Sequence, residues 1–232
     1  MRRFHGQTIK NDNVFRDDTL NIFTDASTYG NDACAGCVVV RGRLEYQEYI
    51  EQYLYLENTD SLEAEMQGIY LGLRMALPYI CQHTVVRLFS DSNTSIIWLR
   101  DKGSTMQYKS NNIYLGNSMM NERYGQILYT VVSFILQNNL NIEFYHQKGH
   151  VNAGNISDMM TAMEAFNRLN RVNLNDSSLE FIQTISRFND HVDMQSRALL
   201  HQQQGMMIDP FQQIPQKENF KDYKNHIVRK MR

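Results

Sequence analysis

Only three cysteines, three prolines and one tryptophan occur among the 232 residues. A small, odd cysteine count in a chain of this size excludes a disulfide framework. Two of the three prolines fall within Asp209–Gln216, and no repeat or low-complexity tract is present. Apolar runs are short. None approaches the roughly 18 residues of a membrane span, and Met1-Arg2-Arg3-Phe4-His5 lacks the apolar stretch of a secretory signal. The expectation is a soluble, cytoplasmic protein. An excess of one charge sign is missing too. The formal net charge is −2, so no global field draws the chain to nucleic acid, and a polyanion site would have to be a local patch or a metal site.

What is present fits a globular chain. Hydrophobic residues make up 42% and charged residues 21%, enough for a core, and the length allows one full domain plus an appendage or two small ones. Cys34-Ala35-Gly36-Cys37 has the CxxC spacing, but it runs into Val38-Val39-Val40 and no second Cys or His pair completes a zinc site. Two small, buried strand residues are the expectation there.

Residues 1–18 are polar and irregular, and read as a flexible lead-in. Leu20–Thr24, Cys37–Val40 and Leu44–Leu56 are strand candidates joined by short turns, hence antiparallel neighbours. Ser61 is a candidate N-cap for a helix in which Leu62, Met66, Ile69, Leu73 and Leu77 recur at helical spacing until Pro78. Val85–Phe89, reached after that crossover, is a buried strand parallel to an earlier one. A short helix over Ser92–Leu99 follows, then a loop over 101–121, a helix over Glu122–Gln137, a half-exposed strand through Leu140, Ile142 and Phe144, and a helix over Met159–Leu169. The order β-β-β-α-β-α-α-β-α predicts an α/β domain with a mixed five-stranded sheet over about residues 19–170. Residues 171–232 read as a C-terminal extension made of a helix over Leu179–Leu200, a linker rich in Gln and Pro, and a basic tail.

Four acids are oddly placed. Asp25 and Asp91 each close an apolar strand run, and on parallel neighbours they would lie side by side at the sheet edge where open α/β sheets bind ligands. Glu65 shares its helical stripe with Ile69, Gly72 and Ala76, so it points at the sheet, whereas Glu63 lies with Gln67, Tyr70 and Arg74 on a more solvated face. Asp158 sits near a helix start with Ala162, Ala165 and Leu169 along its stripe. Any one of them alone is ordinarily a cap or a turn residue. Together, with no matching cation, they would repel unless a hard divalent ion such as Mg²⁺ neutralised them. Two such ions about 4 Å apart are the arrangement for in-line phosphodiester displacement.

Thr24-Asp25-Ala26-Ser27, Ala64-Glu65-Met66-Gln67-Gly68-Ile69, Ser90-Asp91-Ser92, Lys148-Gly149-His150 and Asn155-Ile156-Ser157-Asp158 resemble, in order, the signatures of type 1 ribonuclease H. The resemblance implies a ribonuclease H-like fold: three antiparallel strands, then two parallel ones, with helices on both faces. It implies hydrolysis of the RNA strand of RNA–DNA hybrids with two Mg²⁺ ions, for which Mn²⁺ could substitute. Asp25 would bridge the ions, Asp158 would share the one that activates water, and Glu65 and Asp91 would hold the one at the leaving oxygen. His150 would assist water delivery or product release. Ser27, Ser61, Ser92 and Lys148 are candidate substrate contacts, and Arg100, Lys102 and Lys109 are the only cations available for a duplex-gripping handle in that region. Hybrid recognition rests on phosphates, shape and 2′-hydroxyls rather than on sequence. Two other readings compete: a nuclease of the same superfamily acting on DNA or junctions, and a non-catalytic module that binds a partner or nucleic acid through 171–232.

Overall fold

A computed structural model of the chain describes residues 9–42 and 49–205. The first half of the expected lead-in (1–8), the start of the third strand candidate (44–48), the Pro-containing linker and the basic tail lie outside the described residues. Strands β1 (Thr19–Tyr29), β2 (Asp32–Arg41) and β3 (Tyr49–Leu56) form an antiparallel meander, and helix α1 (Ser61–Ala76) carries the chain across to β4 (Val85–Ser90). Helix α2 (Asn93–Ile96) continues into a π-helical turn over Ile97–Lys102. Three short strands follow, β5 (Met106–Lys109), β6 (Asn112–Leu115) and β7 (Ser118–Met119), before α3 (Glu122–Gln137), β8 (Ile142–His146), α4 (Ile156–Asn170) and α5 (Leu179–Gln203).

The main sheet has the order β3-β2-β1-β4-β8, with β4 and β8 both parallel in sense to β1. Register sets Thr24 beside Ser90, so Asp25, still paired with Gly36 of β2, lies next to Asp91, which follows β4; the first strand does not end at Thr24 as expected but runs on to Tyr29. One face packs Leu20, Ile22, Val86 and Leu88 against Met66, Ile69 and Leu73 of α1 and Leu128, Val131 and Ile135 of α3. The other packs Phe23, Val38 and Phe89 against Met159, Met163 and Phe166 of α4 and Phe181, Ile185, Phe188 and Val192 of α5. Across that second face runs a row of stacked rings. Phe188 lies on Phe23 (centroids 4.7 Å apart), Phe23 on Phe89 (5.0 Å), Phe89 on Tyr145 (5.4 Å) and Tyr145 on Phe166 (5.7 Å). Among the described residues, no helix is long and apolar enough to cross a membrane.

The structure corrects several expectations. Asp60, not Ser61, is the N-cap of α1, its Oδ1 accepting the Glu63 amide at 3.0 Å. Both residue types can cap, and the carboxylate adds its charge at the positive helix end. The expected loop over 101–121 holds a three-stranded sheet whose first hairpin turns on Ser110 and Asn111, both at positive φ. Strands of two to four residues are too short to show a period. β8 is not half-exposed, since Glu143 and Tyr145 are buried as well. Residues 9–18 are docked rather than flexible. Ile9 and Val14 are buried, the Ile9 amide donates to the Tyr145 hydroxyl at 3.0 Å, and Arg87 donates to the carbonyls of Asn13 and Val14. The expected helix of the extension, α5, lies across β1 and β2 and supplies much of one core. Cys34 and Cys37 are free and buried on β2, as expected.

Candidate active site

The interior of one strand, the end of another and one helix build the site. Asp25 emerges from β1 two residues beyond Phe23, and Asp91 follows β4 two residues beyond Phe89, so the stacked rings fix the base from which both carboxylates project. Glu65 arrives from α1, whose close seating depends on small residues. A Cβ at Gly72 would stand 2.5 Å from Ile22 Cγ2, and one at Gly68 would stand 3.2 Å from the Gly36 carbonyl. Carboxylate oxygens of Asp25, Glu65 and Asp91 lie within 4.8 Å of one another. Asp25 and Glu65 are 6% and 8% exposed, and Asp91 is half-buried.

Among the described residues, no Lys or Arg pairs with this group. The Ala26 amide donates to Asp25 Oδ1 at 2.7 Å, while Glu65 Oε2 is buried without a hydrogen-bond partner. Burial first, then the charges of Asp91 and Asp193, push the Asp25 carboxyl up to about 8. Burial, then Asp25 and Asp91, push Glu65 well above its ordinary range. Asp91 is raised as well, chiefly by burial, against a hydrogen bond from Asn189 and the nearby His146 and His150. Without a cation, the cluster holds protons that ordinary carboxyls would have lost. An orphaned, buried carboxylate oxygen among three oxygen donors fits a hard divalent ion.

The Lys148-Gly149-His150 turn closes over Asp91. A Cβ on Gly149 would collide with Asp91 Oδ2, so any larger residue displaces one of the two. The motif therefore has its glycine for close approach. His150 takes a positive φ of 52°, a costly conformation for a residue with a side chain. Its imidazole is exposed, with Nδ1 3.9 Å from Asp193 Oδ2.

The other expected residues divide. Asp158 is half-buried in the first turn of α4 and, like Asp193, is not among the carboxylates that meet within 4.8 Å; at that distance three of the four expected acids converge. The placement of α4 beside β8 accounts for this, because α5 and not α4 crosses β1. Ser27 is buried and donates to Asp193 Oδ1 at 3.3 Å, which turns it toward α5. Ser92 shares a 2.8 Å hydrogen bond with Ser95. Ser61 and Lys148 are exposed. Of the handle cations, Lys102 and Lys109 are exposed, while Arg100 binds Asp101 and the Leu169 carbonyl.

Sequence reasoning missed the contribution of α5. A cavity of about 460 Å³ opens onto the carboxylates, and Asp193, Arg197, Leu200 and His201 form its α5 wall. The missed signal is spacing: Asn189, Asp193, Ser196 and Leu200 stand at i, i+4, i+7 and i+11, the same stripe rule that singles out Glu65.

No known family model matches the chain, and no curated protein does. Solved structures do. The metagenomic LC11 ribonuclease H1 from compost, in complex with RNA/DNA hybrid, is 15% identical with a TM-score of 0.45, covering 64% of this chain and 97% of its own. The N-terminal RNase H domain of a Mycobacterium tuberculosis protein is 16% identical with a TM-score of 0.42, covering 54% and 84%. The ribonuclease H1 of the archaeon Halobacterium salinarum is 12% identical with a TM-score of 0.36, covering 75% and 98%. By the order and direction of its own five main strands and the helices on both their faces, the chain has the ribonuclease H-like fold.

Proposed function

We propose that the chain is a Mg²⁺-dependent endonuclease that hydrolyses the RNA strand of RNA–DNA hybrids. The observation that carries the nuclease reading is the buried group Asp25, Glu65 and Asp91, uncompensated by any cationic side chain among the described residues and open to a cavity. Burying like charges without a partner costs several kcal/mol, an arrangement that makes sense when a ligand supplies the opposite charge. Asp25, Glu65 and Asp91 are the residues that would hold Mg²⁺. When bound there, the ion supplies Lewis-acid stabilisation of the phosphate and makes water a better nucleophile.

The chain's own residues do the rest. The rings of Phe23 and Phe89 hold the carboxylates in a fixed geometry, which lowers the reorganisation needed at reaction. Gly149 keeps the turn tight on Asp91 and presents His150 at the cavity mouth. There His150 can carry a proton at Nε2 between solvent and the reacting phosphate, while its Nδ1 faces Asp193. The choice of hybrid over other nucleic acids is supported by the five sequence motifs in order, above all Lys148-Gly149-His150 ahead of Asp158.

The test is cleavage of a labelled RNA–DNA hybrid beside duplex DNA, duplex RNA and single strands, with Mg²⁺ and with chelator. Hybrid cut in its RNA strand only when Mg²⁺ is present is the expected result. Preferential cutting of duplex DNA or a junction moves the substrate to another class, and no cutting of any substrate overturns the enzymatic reading.

A further inference from the structure

The three meeting carboxylates leave one side of the cavity to be accounted for, and α5 fills it. Its register over the sheet is fixed at two points on either side of Asp193. Before it, Phe188 stacks on Phe23 with centroids 4.7 Å apart. After it, buried Ser196 sits so close to β2 that a Cβ on Gly36 would collide with its Oγ. One turn ahead of Asp193, buried Asn189 accepts from Gln147 Nε2 at 2.5 Å. Asp193 itself lines the cavity with Asp25, Glu65 and Asp91, and its Oδ1 accepts from Ser27, two residues beyond Asp25 on the same strand face. Arg197 forks onto it, Nη2 lying 2.9 and 2.7 Å from the two carboxylate oxygens. The neighbouring acid, Asp190, is not among the cavity-lining residues.

We infer that Asp193 is the fourth carboxylate of the divalent-cation site, in the place the motif order gives to Asp158, with Arg197 as its counter-ion until a metal arrives. The inference rests on the metal reading of Asp25, Glu65 and Asp91. The unpartnered Glu65 Oε2, more than nine-tenths buried on the same cavity, is the independent sign that a ligand belongs there. Asp193, like Asp158, stands outside the 4.8 Å group, but unlike Asp158 it lines the same cavity, on a long helix and beside Asp25 through Ser27. Its charge is paired chiefly with an exposed arginine that can swing away, with His150 further off at 3.9 Å. The C-terminal helix is therefore a working part of the site, and truncation before Leu179 removes a ligand as well as a wall of the core.

Calorimetric titration of Mn²⁺ into the full chain tests this. Wild type is expected to bind, Asp193→Asn to lose at least about tenfold in affinity, and Asp158→Asn to bind as wild type does. Arg197→Ala is expected to bind more tightly, because it removes the competing cation; this opposite sign cannot come from misfolding. If wild type binds, Asp25→Asn does not, and Asp193→Asn matches wild type, the inference is overturned while the metal reading stands. If wild type binds no Mn²⁺, both fall.

Discussion

One face of the main sheet carries buried charge at both ends, and the two ends are built on opposite principles. At the amino end of β4 and β8, Arg87 is fully buried and its Nε donates to Glu143 Oε2 at 3.1 Å. The same carboxylate oxygen accepts from the Tyr145 hydroxyl at 2.7 Å, and the guanidinium also donates to two backbone carbonyls of the N-terminal segment. Four residues further along the chain, just past β4, lies Asp91, beside Asp25 and Glu65, with no arginine among the described residues to match. Phe23, Phe89 and Tyr145 separate the two ends. A buried charge with its partner in place locks the segment over 9–18 to the sheet. A buried charge without one marks where something from outside completes the structure.

The largest expected contrast is catalytic. Asp91→Asn should lower Mg²⁺-dependent cleavage by about a thousandfold or more, since losing several kcal/mol of transition-state stabilisation costs tenfold for each 1.4 kcal/mol. It should not unfold the chain; thermal melts of the metal-free protein are expected to rise, because a like charge has left the cluster. Full activity in this variant would remove Asp91 from the site.

The amino end should respond with the opposite sign. Arg87→Met is expected to cost about 3–5 kcal/mol in urea unfolding, because it strands Glu143 in the core. Replacing both partners by Met should cost far less. An Arg87→Met protein as stable as wild type would make the two ends alike and dissolve the comparison.

The pH dependence follows from the raised carboxyl of Asp25. Its proton is held in the folded state up to about pH 8 but released in the unfolded state near pH 4. The folded form therefore binds more protons in between, and stability of the metal-free chain falls as pH rises through that window. Mn²⁺ at pH 8 should restore it. Stability that climbs steadily from pH 4 to pH 8 without metal would contradict the burial of this cluster.

The smallest effect expected is at Gly149. Gly149→Ala should reduce cleavage by about ten- to a hundredfold through displacement of Asp91, with little change in melting temperature. Unaltered cleavage would show that the turn can withdraw from Asp91 at no cost.

Much of this was legible residue by residue. Alternation and helical spacing placed β1, β2, β4, α1 and α3, and the stripe through Ile69, Gly72 and Ala76 distinguished buried Glu65 from Glu63, which pairs with Arg123. The same rule applied to α5 would have brought out Asp193, but the segment read as an appendage because its apolar residues are spread thinly among polar ones. Its polar stripe faces inward: Asn189 is buried on Gln147, Asp193 lines the cavity and Ser196 meets β2 at Gly36. Asp158 shows the converse: its stripe turns inward, yet it lies outside the carboxylates that meet within 4.8 Å. An inward stripe establishes that a residue faces the protein, not which part of it.

By itself, then, the sequence determined the order of the main strands and helices, the adjacency of Asp25 and Asp91 and the inward direction of Glu65, because these follow from periodicity and from where apolar runs end. The tertiary structure alone decided which fourth acid shares their cavity. That choice depends on which helix crosses β1, and helix placement on a sheet is set by contacts between residues far apart in the chain: Phe188 on Phe23 and Ser196 against Gly36.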